Sequence, residues 1–548
     1  MKLKLSHYIY IILIIFSFDG FLAQDLSLKL ASKNKNDVLI LNNIQYQNKH
    51  ADTVSIQLEL QKIAAYLKNI GYFTNSLDSI KKHKTNFIGY FSLNDKIDNV
   101  ILKIAPDLFY LFNDLESGNI SLPIHELETT LLSVSKKLDI EGKSFSKVKL
   151  SDITVKNKTL FADLDIHQSK KRYLNKVIVK GYKKFPKSFL KNHFSLNNKT
   201  IFNQLKITQT SNLSKNIPFI KEIKPPEVLF TTDSTKLYLY FKKRLNNSFD
   251  GIVNFASKEN GGVLFNGNID LKLNNTLNKG EKFELFWNSI AEERQEFKLS
   301  TEIPYILNLK FTPKISFSIY RQDSTFLNTT FNSELFFNLN PKVRIALTYN
   351  SESSENLEEN INNTIETYKN MFLGFKLIYR IPKNDFFFND KFYFQINPTI
   401  GKRNTNLNAS NQFKIEGSTS VIWDLNLRNS FYIQNTTGYL NSDTFLDNEL
   451  FRIGGANSIR GFSEQSIFTN NYTYFNIEYR YLTSNKSYLY SITDIGKATS
   501  NTLVGVGLGY NFSKGNSIIN INSVLPNSTN SKSQLSNIQL IIKWTSFF

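Results

Sequence analysis

The last ~300 residues of the chain repeat one pattern, and that pattern limits the fold more than any other feature. From about Phe249 onward polar and apolar residues alternate, and a turn follows every 15 to 20 residues. Successive side chains of a β-strand point to opposite faces of the sheet, so each segment predicts a strand with one apolar face. We count about 16 segments, an even number, as in closed bacterial barrels. The predicted strands are 249–257, 263–275, 281–290, 294–303, 308–320, 325–339, 341–350, 367–380, 390–402, 411–426, 429–440, 470–482, 487–497, 501–512, 516–525 and 534–548.

Composition favours a membrane for this sheet. The chain is 41% hydrophobic, with 46 Phe and 26 Tyr, yet beyond residue 23 it lacks the run of about 18 apolar residues that a spanning helix requires. In a bilayer every backbone polar group must be paired, so a spanning sheet has to close on itself. A soluble β-sandwich is the alternative, but it needs neither so many aromatic residues nor so long a series of strands. Residues 246–548 are therefore predicted to form an all-β transmembrane barrel of about 16 antiparallel strands.

The N-terminus has the three-part pattern of a secretory signal peptide. Lys2 and Lys4 precede an apolar run at 9–16, and Ala23 ends the segment. The run is too short to span a bilayer as a helix, so residues 1–23 are predicted to be removed on export. The chain contains no Cys, which excludes a lipid-anchored lipoprotein, disulfides and thiolate chemistry.

Residues 24–245 read as small mixed modules of helices and strands. We predict three domains, at 24–112, 113–170 and 171–245. Predicted helices cover 56–67, 124–138, 186–194 and 200–213, and predicted strands cover 38–41, 87–93, 100–104, 148–155, 159–166, 174–182, 220–230 and 236–241.

The connections between the predicted barrel strands differ in length in a regular way. Those after odd-numbered strands include the long segments 351–366, 403–410 and 441–469, whereas those after even-numbered strands are short turns such as Asn340-Pro341. Long outer loops and short inner turns are the usual asymmetry of outer-membrane barrels. The segment 441–469 is therefore predicted to lie on the outer side.

One motif stands out within that segment. Two adjacent glycines and a third before Phe462 allow backbone angles closed to other residues, and an arginine between them presents a fork of donors suited to a carboxylate. Taken alone, Arg-Gly-Phe also fits an ordinary surface turn. The motif residues are Gly454, Gly455, Ser458, Ile459, Arg460, Gly461 and Phe462.

Later motifs give this one its context. The next strand places Asn476, Glu478 and Arg480 on one face and apolar residues on the other, and Asp494 follows one strand later. In this order and spacing, residues 451–548 resemble the outer-membrane insertase and translocase superfamily that includes BamA, TamA and two-partner-secretion transporters. The resemblance implies that the loop folds into the barrel lumen and that Arg460 pairs with Glu478 and Asp494. The modules at 24–245 likewise resemble the POTRA domains that precede such barrels.

The C-terminus resembles the last strand of barrels in this superfamily, which ends in alternating apolar residues and a terminal Phe. Leu540, Ile542 and Trp544 alternate before the terminal Phe548. By resemblance these four residues are an assembly signal, which the cell's own barrel-assembly machinery reads by pairing with the last strand.

The resemblance implies a function in the Gram-negative outer membrane, with the N-terminal domains in the periplasm. The expected partners are unfolded outer-membrane or secreted client proteins, outer-membrane lipid, and periplasmic or lipoprotein accessory subunits. Clients would add a strand to the POTRA edges and be inserted or exported at a weakly closed seam of the barrel. The alternative is a passive outer-membrane pore or surface adhesin that keeps the same fold.

Other functions find little support in the sequence. The net charge of +19 could suit nucleic acid, but an exported protein meets little of it. None of the six His residues lies in the barrel half, so the usual base of a barrel hydrolase is missing. We therefore predict no enzymatic activity, no cofactor and no metal, and an outer-loop acidic cluster around Glu352 and Glu366 is interpreted as solvated.

Overall fold

A computed structural model describes residues 26–112, 118–257, 263–290, 294–358, 364–383, 385–529 and 538–548. The predicted signal peptide, 1–23, lies outside these residues. In the part of the chain that is described, no helix combines the length and apolar character needed to cross a membrane. Two compact units are present, one reaching Arg172 and including Ile201–Gln204, the other comprising Tyr173–Thr200 and Leu205–Phe548.

The first domain of the first unit is a four-stranded sheet in the order β2-β1-β4-β3, packed against two helices. Its elements are β1 (Leu26–Ala31), α1 (Lys35–Asn42), β2 (Lys49–His50), α2 (Thr53–Asn69), β3 (Ser76–His83) and β4 (Asn86–Ser92). The strand predicted at 38–41 is wrong, because these residues belong to α1. The Asn34 side chain caps this helix by accepting a hydrogen bond from the Asn36 N–H, and the buried Leu41 faces the core.

The second domain begins earlier than its predicted start at 113. Its elements are β5 (Asn99–Lys103), β6 (Asn119–Pro123), α3 (Leu127–Ile140), β7 (Lys147–Lys156) and β8 (Thr159–His167), in the sheet order β6-β5-β8-β7. The predicted boundary at 112 is wrong, because β5 pairs in parallel with β8 and places Val100 and Leu102 in this domain's core. The sequence analysis missed β1, β2, β3 and β6. Every residue of β3 is exposed, so this strand lacks a buried apolar face.

The third domain lies in the second unit and agrees with its predicted elements. These are β9 (Lys176–Lys180), α4 (Lys187–Asn192), α5 (Gln204–Ser214), β10 (Ile220–Phe230) and β11 (Thr235–Lys243), in the sheet order β10-β11-β9. Phe185 lies at the centre of its core, with the rings of Phe194, Phe219 and Phe241 around it.

The barrel is closed by sixteen antiparallel strands, as predicted. They are β12 (Ser248–Ser257), β13 (Val263–Asn274), β14 (Lys282–Ile290), β15 (Arg294–Glu302), β16 (Phe311–Gln322), β17 (Phe326–Asn338), β18 (Val343–Asn356), β19 (Tyr368–Pro382), β20 (Asp390–Thr405), β21 (Ala409–Asp424), β22 (Asn429–Asn441), β25 (Asn471–Ser484), β26 (Ser487–Ala498), β27 (Asn501–Lys514), β28 (Ser517–Ser528) and β29 (Gln539–Phe547), while β23 (Phe451–Ile453) and β24 (Ile467–Thr469) form a separate hairpin.

The third domain contacts the short turns at one end of the barrel, which we call the domain end. The Tyr182 hydroxyl donates to Asn278 Oδ1 at 2.6 Å and accepts from Asn275 Nδ2 at 2.7 Å, in the turn after the second strand. Phe189 packs edge-on against Tyr305, in the turn after the fourth strand, with 5.0 Å between ring centroids. Connections after even-numbered strands therefore lie at the domain end, and those after odd-numbered strands lie at the opposite, loop end.

His193 lies at the same contact. Its Nδ1 is 3.2 Å from the Tyr305 hydroxyl, and its Nε2 is 3.4 Å from the Leu213 carbonyl oxygen. Burial lowers the pKa of His193 to about 4, because the charged imidazolium would lose its hydration there. The ring is therefore neutral at physiological pH.

Candidate functional site

The connection 442–470, at the loop end, is a folded structure that we call the lumen loop. It begins with a 3₁₀ turn at Asp447–Glu449 and continues into the β23–β24 hairpin, whose three residue pairs the sequence did not reveal. Residues 454–466 form its tip.

The glycines of the motif occupy positions that require glycine. Gly454, Gly455 and Gly461 have φ angles of 106°, 101° and 94°, which other residues rarely adopt. The tip is closed by its own hydrogen bonds, from the Gly454 N–H to Ser458 Oγ at 3.2 Å and from the Gly455 N–H to the Ile459 carbonyl at 3.2 Å. This fixed turn directs Arg460 away from the hairpin and toward the barrel wall.

Arg460 binds both of the acids that the resemblance implied. Its Nε donates to Asp494 Oδ2 at 2.8 Å and its Nη2 to Asp494 Oδ1 at 2.7 Å, which is a two-pronged contact. Its Nη1 donates to Glu478 Oε1 at 2.7 Å, and its backbone N–H donates to Asp494 Oδ2 at 2.9 Å. Asp494 is fully buried, and Arg460 and Glu478 are 8% and 6% exposed. The predicted ion pairs are therefore present in this structure.

A second arginine balances the charge of this cluster. Arg480 donates from Nε to Glu478 Oε2 at 2.8 Å, so Glu478 bridges two guanidinium groups. The Arg480 guanidinium also lies 3.9 Å from the ring centroid of Tyr432, in cation–π contact. Two arginines and two carboxylates thus compensate one another, as buried charges require. We call these four residues the tip cluster: Arg460, Arg480, Glu478 and Asp494.

The barrel wall has space for the loop tip where the chain has glycine. A Cβ atom on Gly505 would lie 2.2 Å from the Arg460 carbonyl oxygen, and one on Gly496 would lie 2.6 Å from Ile459 Cδ1. Ile459 is fully buried, and Phe462 packs against the same apolar cluster. Asn476 Nδ2 donates to the Ser458 carbonyl at 2.8 Å. The predicted motif residues are therefore gathered at one contact between the tip and β25–β27.

The base of the lumen loop is held by a second cluster that the sequence analysis missed. Arg403 is paired with Glu449 and donates from Nη2 to Thr444 Oγ1 at 2.6 Å. Gln412 Nε2 donates to the other Glu449 oxygen at 2.9 Å, and the buried Asn448 binds Ser354 Oγ at 2.7 Å. No sequence motif marks Arg403, which follows Lys402 near the end of β20.

A third contact lies on the far side of the lumen. Arg294 donates to the Glu464 carbonyl oxygen, and Gln465 Nε2 donates to Glu296 Oε2 at 2.8 Å. These partners belong to β15, the fourth barrel strand, whereas Asp494 belongs to β26, the thirteenth. In a ring of sixteen strands these two are seven strands apart, close to the maximum of eight, so the loop tip crosses the lumen.

The seam that closes the barrel is short. The first and last strands pair only at Ser248–Phe547 and Phe249–Ser546, whereas each other neighbouring pair of strands in the described barrel has at least eight paired positions. The Phe548 N–H adds one further bond, to the Asn247 carbonyl at 3.0 Å.

The alternating residues of the last strand face outward. Leu540, Ile542 and Trp544 are more than half exposed, as is the terminal Phe548. Their alternation agrees with the sequence, and their role as an assembly signal stays a prediction.

The acidic residues interpreted as a solvated outer loop are arranged differently. Glu352 lies inside β18, where its carboxylate accepts hydrogen bonds from Asn328 Nδ2 at 3.2 Å and from the Tyr368 hydroxyl. The interpretation is wrong for Glu352, because β18 extends to Asn356. Among the described residues no group of three or more His, Cys, Asp or Glu side chains is arranged to hold a metal ion.

The sequence matches no protein-family model and no curated protein. Among solved structures, CdiB from Acinetobacter baumannii matches with a TM-score of 0.51 at 13% identity, covering 90% of this chain and 98% of that chain. CdiB from Escherichia coli has a TM-score of 0.49 at 14% identity, covering 89% of this chain and 98% of that chain. BamA from Haemophilus ducreyi lacking POTRA domains 1–3 has a TM-score of 0.46 at 14% identity, covering 83% of this chain and 100% of that chain.

These findings define the class of fold. The chain is a sixteen-stranded, closed antiparallel barrel preceded by three small POTRA-like domains. Its fold is similar to that of CdiB from Acinetobacter baumannii.

Proposed function

We propose that this protein is a non-enzymatic assembly or translocation factor of the outer membrane, which receives unfolded polypeptides and inserts or exports them at its barrel. The lumen loop carries the proposal. A passive pore needs an open lumen, whereas here the loop crosses the lumen and is bound at its tip, its base and the opposite wall.

The POTRA-like domains offer places for a client to bind in extended form. β3 and β7 lie at the edges of their sheets and keep backbone groups unpaired on one side. Every residue of β3 is exposed, so an added strand would meet no obstruction there. β10 suits this role less well, because Pro225 and Pro226 lie in it and Pro lacks the N–H that an added strand would use.

The seam supports insertion or release from the side of the barrel. Two paired positions hold the first and last strands together, so opening them breaks few backbone hydrogen bonds compared with any other pair of strands. The opened edges would then expose unpaired N–H and C=O groups that a client strand can satisfy. The proposed partners are outer-membrane or secreted clients, the surrounding lipid, and accessory subunits in the periplasm, where we place the three N-terminal domains.

Depletion of the protein in its own host tests the proposal. An assembly or translocation factor should lower the amount of other barrels in the outer membrane or of a secreted client outside the cell. If depletion changes only permeability or adhesion, the passive pore or surface adhesin is correct instead. Complementation with Arg460→Ala should fail, whereas Arg428→Ala, which alters an exposed turn arginine, should complement fully and serves as the matched control.

A further inference from the structure

The turn between the eighth and ninth strands has a sequence unlike a solvated barrel turn. Residues 385–389 read Asp-Phe-Phe-Phe-Asn, and we call them the aromatic turn. The turn follows an even-numbered strand, so it lies at the domain end, opposite to the lumen loop. The Asp385 side chain accepts a hydrogen bond from the Phe387 N–H at 3.1 Å, which fixes the direction of the ring residues.

Two of the three phenylalanines fold into the barrel instead of facing solvent. Phe388 is only 6% exposed, and its ring centroid is 5.2 Å from that of Tyr488. Phe387 meets the same tyrosine edge-on at 5.0 Å. Tyr488 belongs to the thirteenth strand, four strands away from the turn's own ninth strand, so these contacts span about a quarter of the barrel circumference on its inner side.

A continuous apolar layer results. Phe388 packs with side chains from the tenth, thirteenth and fifteenth strands, all of them buried: Ile422, Tyr488, Tyr490, Ile492 and Val524. Phe386, the third phenylalanine, remains 47% exposed and packs on Phe387. The turn thus places aromatic rings inside the barrel near the domain end, against the wall between the tenth and fifteenth strands.

The aromatic layer touches the tip cluster of the lumen loop. The Arg480 guanidinium lies 4.6 Å from the Phe388 ring centroid, while its Nε binds Glu478 at 2.8 Å. Val524, part of the aromatic layer, lies 3.2 Å from the position of a Cβ on Gly461. The lumen loop and the aromatic turn therefore meet inside the barrel, with Arg480 between them.

We propose that the aromatic turn is a second plug, which closes the barrel lumen from the domain end and is coupled to the lumen loop through Arg480. The proposal does not depend on the protein having clients. Small solutes pass the barrel only when both this turn and the lumen loop have left their sites, because hydrophobic rings exclude water from the constriction that they occupy. Arg480 is a positioning residue. Its guanidinium stacks on Phe388, and this contact orients the guanidinium so that it holds the Glu478 carboxylate toward Arg460.

Conductance of the full-length protein in planar bilayers tests the plug. In an Arg460→Ala background, which frees the tip of the lumen loop, joint replacement Phe387→Ala and Phe388→Ala should raise the ion conductance by more than about tenfold over Arg460→Ala alone, because water can then enter the constriction. Phe386→Ala in the same background is the matched control, since it removes the same ring from the same turn without opening the layer, and it should leave the conductance of Arg460→Ala unchanged. A heat-modifiable variant with all three replacements that conducts no better than Arg460→Ala would overturn the proposal.

Thiol labelling gives a second measurement that does not require opening the barrel. The chain contains no Cys, so single variants Phe388→Cys and Phe386→Cys each carry one thiol. In liposomes a water-soluble maleimide should modify position 388 at least about tenfold more slowly than position 386, because a closed plug protects it from solvent. Adding Arg480→Ala should speed labelling at 388 and leave 386 unchanged. Equal labelling of 388 and 386 in the otherwise unaltered protein would show that the turn does not plug the lumen.

Discussion

The lumen loop is held at its tip and at its base by buried arginine–carboxylate contacts. The two contacts differ in how many of the arginine's N–H donors find an acceptor. At the tip, Arg460 uses Nε, both terminal nitrogens and its backbone N–H, and every one of these donors reaches Asp494 or Glu478. At the base, Arg403 pairs with Glu449, but its Nε finds no hydrogen-bond partner among the described residues.

Because of this difference, the tip contact and the base contact have different roles in holding the lumen loop. Glu449 also accepts hydrogen bonds from Gln412 Nε2 at 2.9 Å and the Leu446 N–H at 3.0 Å, so the base keeps contacts if its arginine is lost. Asp494 has no hydrogen-bond donor among the described side chains other than Arg460. The tip is therefore the contact whose loss frees the motif, while the base keeps the loop attached.

The largest effect is expected from Arg460→Ala. Removing the arginine leaves a buried carboxylate uncompensated, at a cost of about 3 to 5 kcal/mol for the docked loop. The tip should leave the barrel wall, so proteolysis of the loop from outside intact cells should increase and client delivery should fall while the barrel still assembles. Arg460→Lys should rescue poorly, because an ammonium group cannot make the two-pronged contact with Asp494.

Cysteines placed at 458 and 476, where Asn476 Nδ2 donates to the Ser458 carbonyl at 2.8 Å, give the direct geometric check and leave Arg460 in place. They should crosslink only when the tip is docked. Absence of crosslinking, together with full client delivery by Arg460→Ala, would show that the motif has no working role here and would favour the passive alternative.

A smaller effect is expected from Arg403→Ala at the base. Glu449 keeps two other donors, so we expect a loss of about 1 to 3 kcal/mol in docking of the loop base. Protease cleavage near 444–449 should increase, whereas the crosslink between positions 458 and 476 should persist. A variant that loses that crosslink as completely as Arg460→Ala would mean that the two contacts are not separable.

The contact of the third domain with the barrel should respond to pH, unlike a contact that is held by apolar packing alone. His193 is neutral in the folded state because its pKa is lowered to about 4, while an unfolded His binds a proton near 6.5. Between these values the unfolded state binds more protons, so stability falls as pH decreases. From pH 7.5 to 5.5 the expected loss is about 1 kcal/mol, measurable by denaturant unfolding of the detergent-solubilised protein. His193→Phe should flatten this dependence; an unchanged pH profile in that variant would assign it to other groups.

The smallest effect is expected at the seam. Deleting Phe548 removes the bond to the Asn247 carbonyl and one outward ring, and leaves the two paired positions in place. The folded, heat-modifiable fraction should decrease a few-fold without loss of export, whereas Ser528→Ala at the end of β28 should leave it unchanged. An equal folded yield in the truncated chain would count against Phe548 as an assembly signal.

Motifs and alternation made much of this site predictable. Strand alternation placed Glu478 and Arg480 on one face of β25, and the family resemblance implied the pairing of Arg460 with Asp494. Arg403 and Phe388 were not predictable in the same way. No motif marks Arg403, the run of phenylalanines around Phe388 does not tell which strands its rings meet, and both side chains contact residues from distant strands.

The sequence by itself determined the sixteen-strand barrel and the end at which the long loop lies, because a period of two and the lengths of connections are local properties of the chain. The tip contact was implied by the resemblance of its motifs to a known family. Only the tertiary structure decided that β5 belongs to the second domain, that the seam has two paired positions, and that Arg480 lies between the lumen loop and the aromatic turn. Closing a barrel brings strands four to seven places apart to face one another across the lumen, and no local pattern records which side chains then meet.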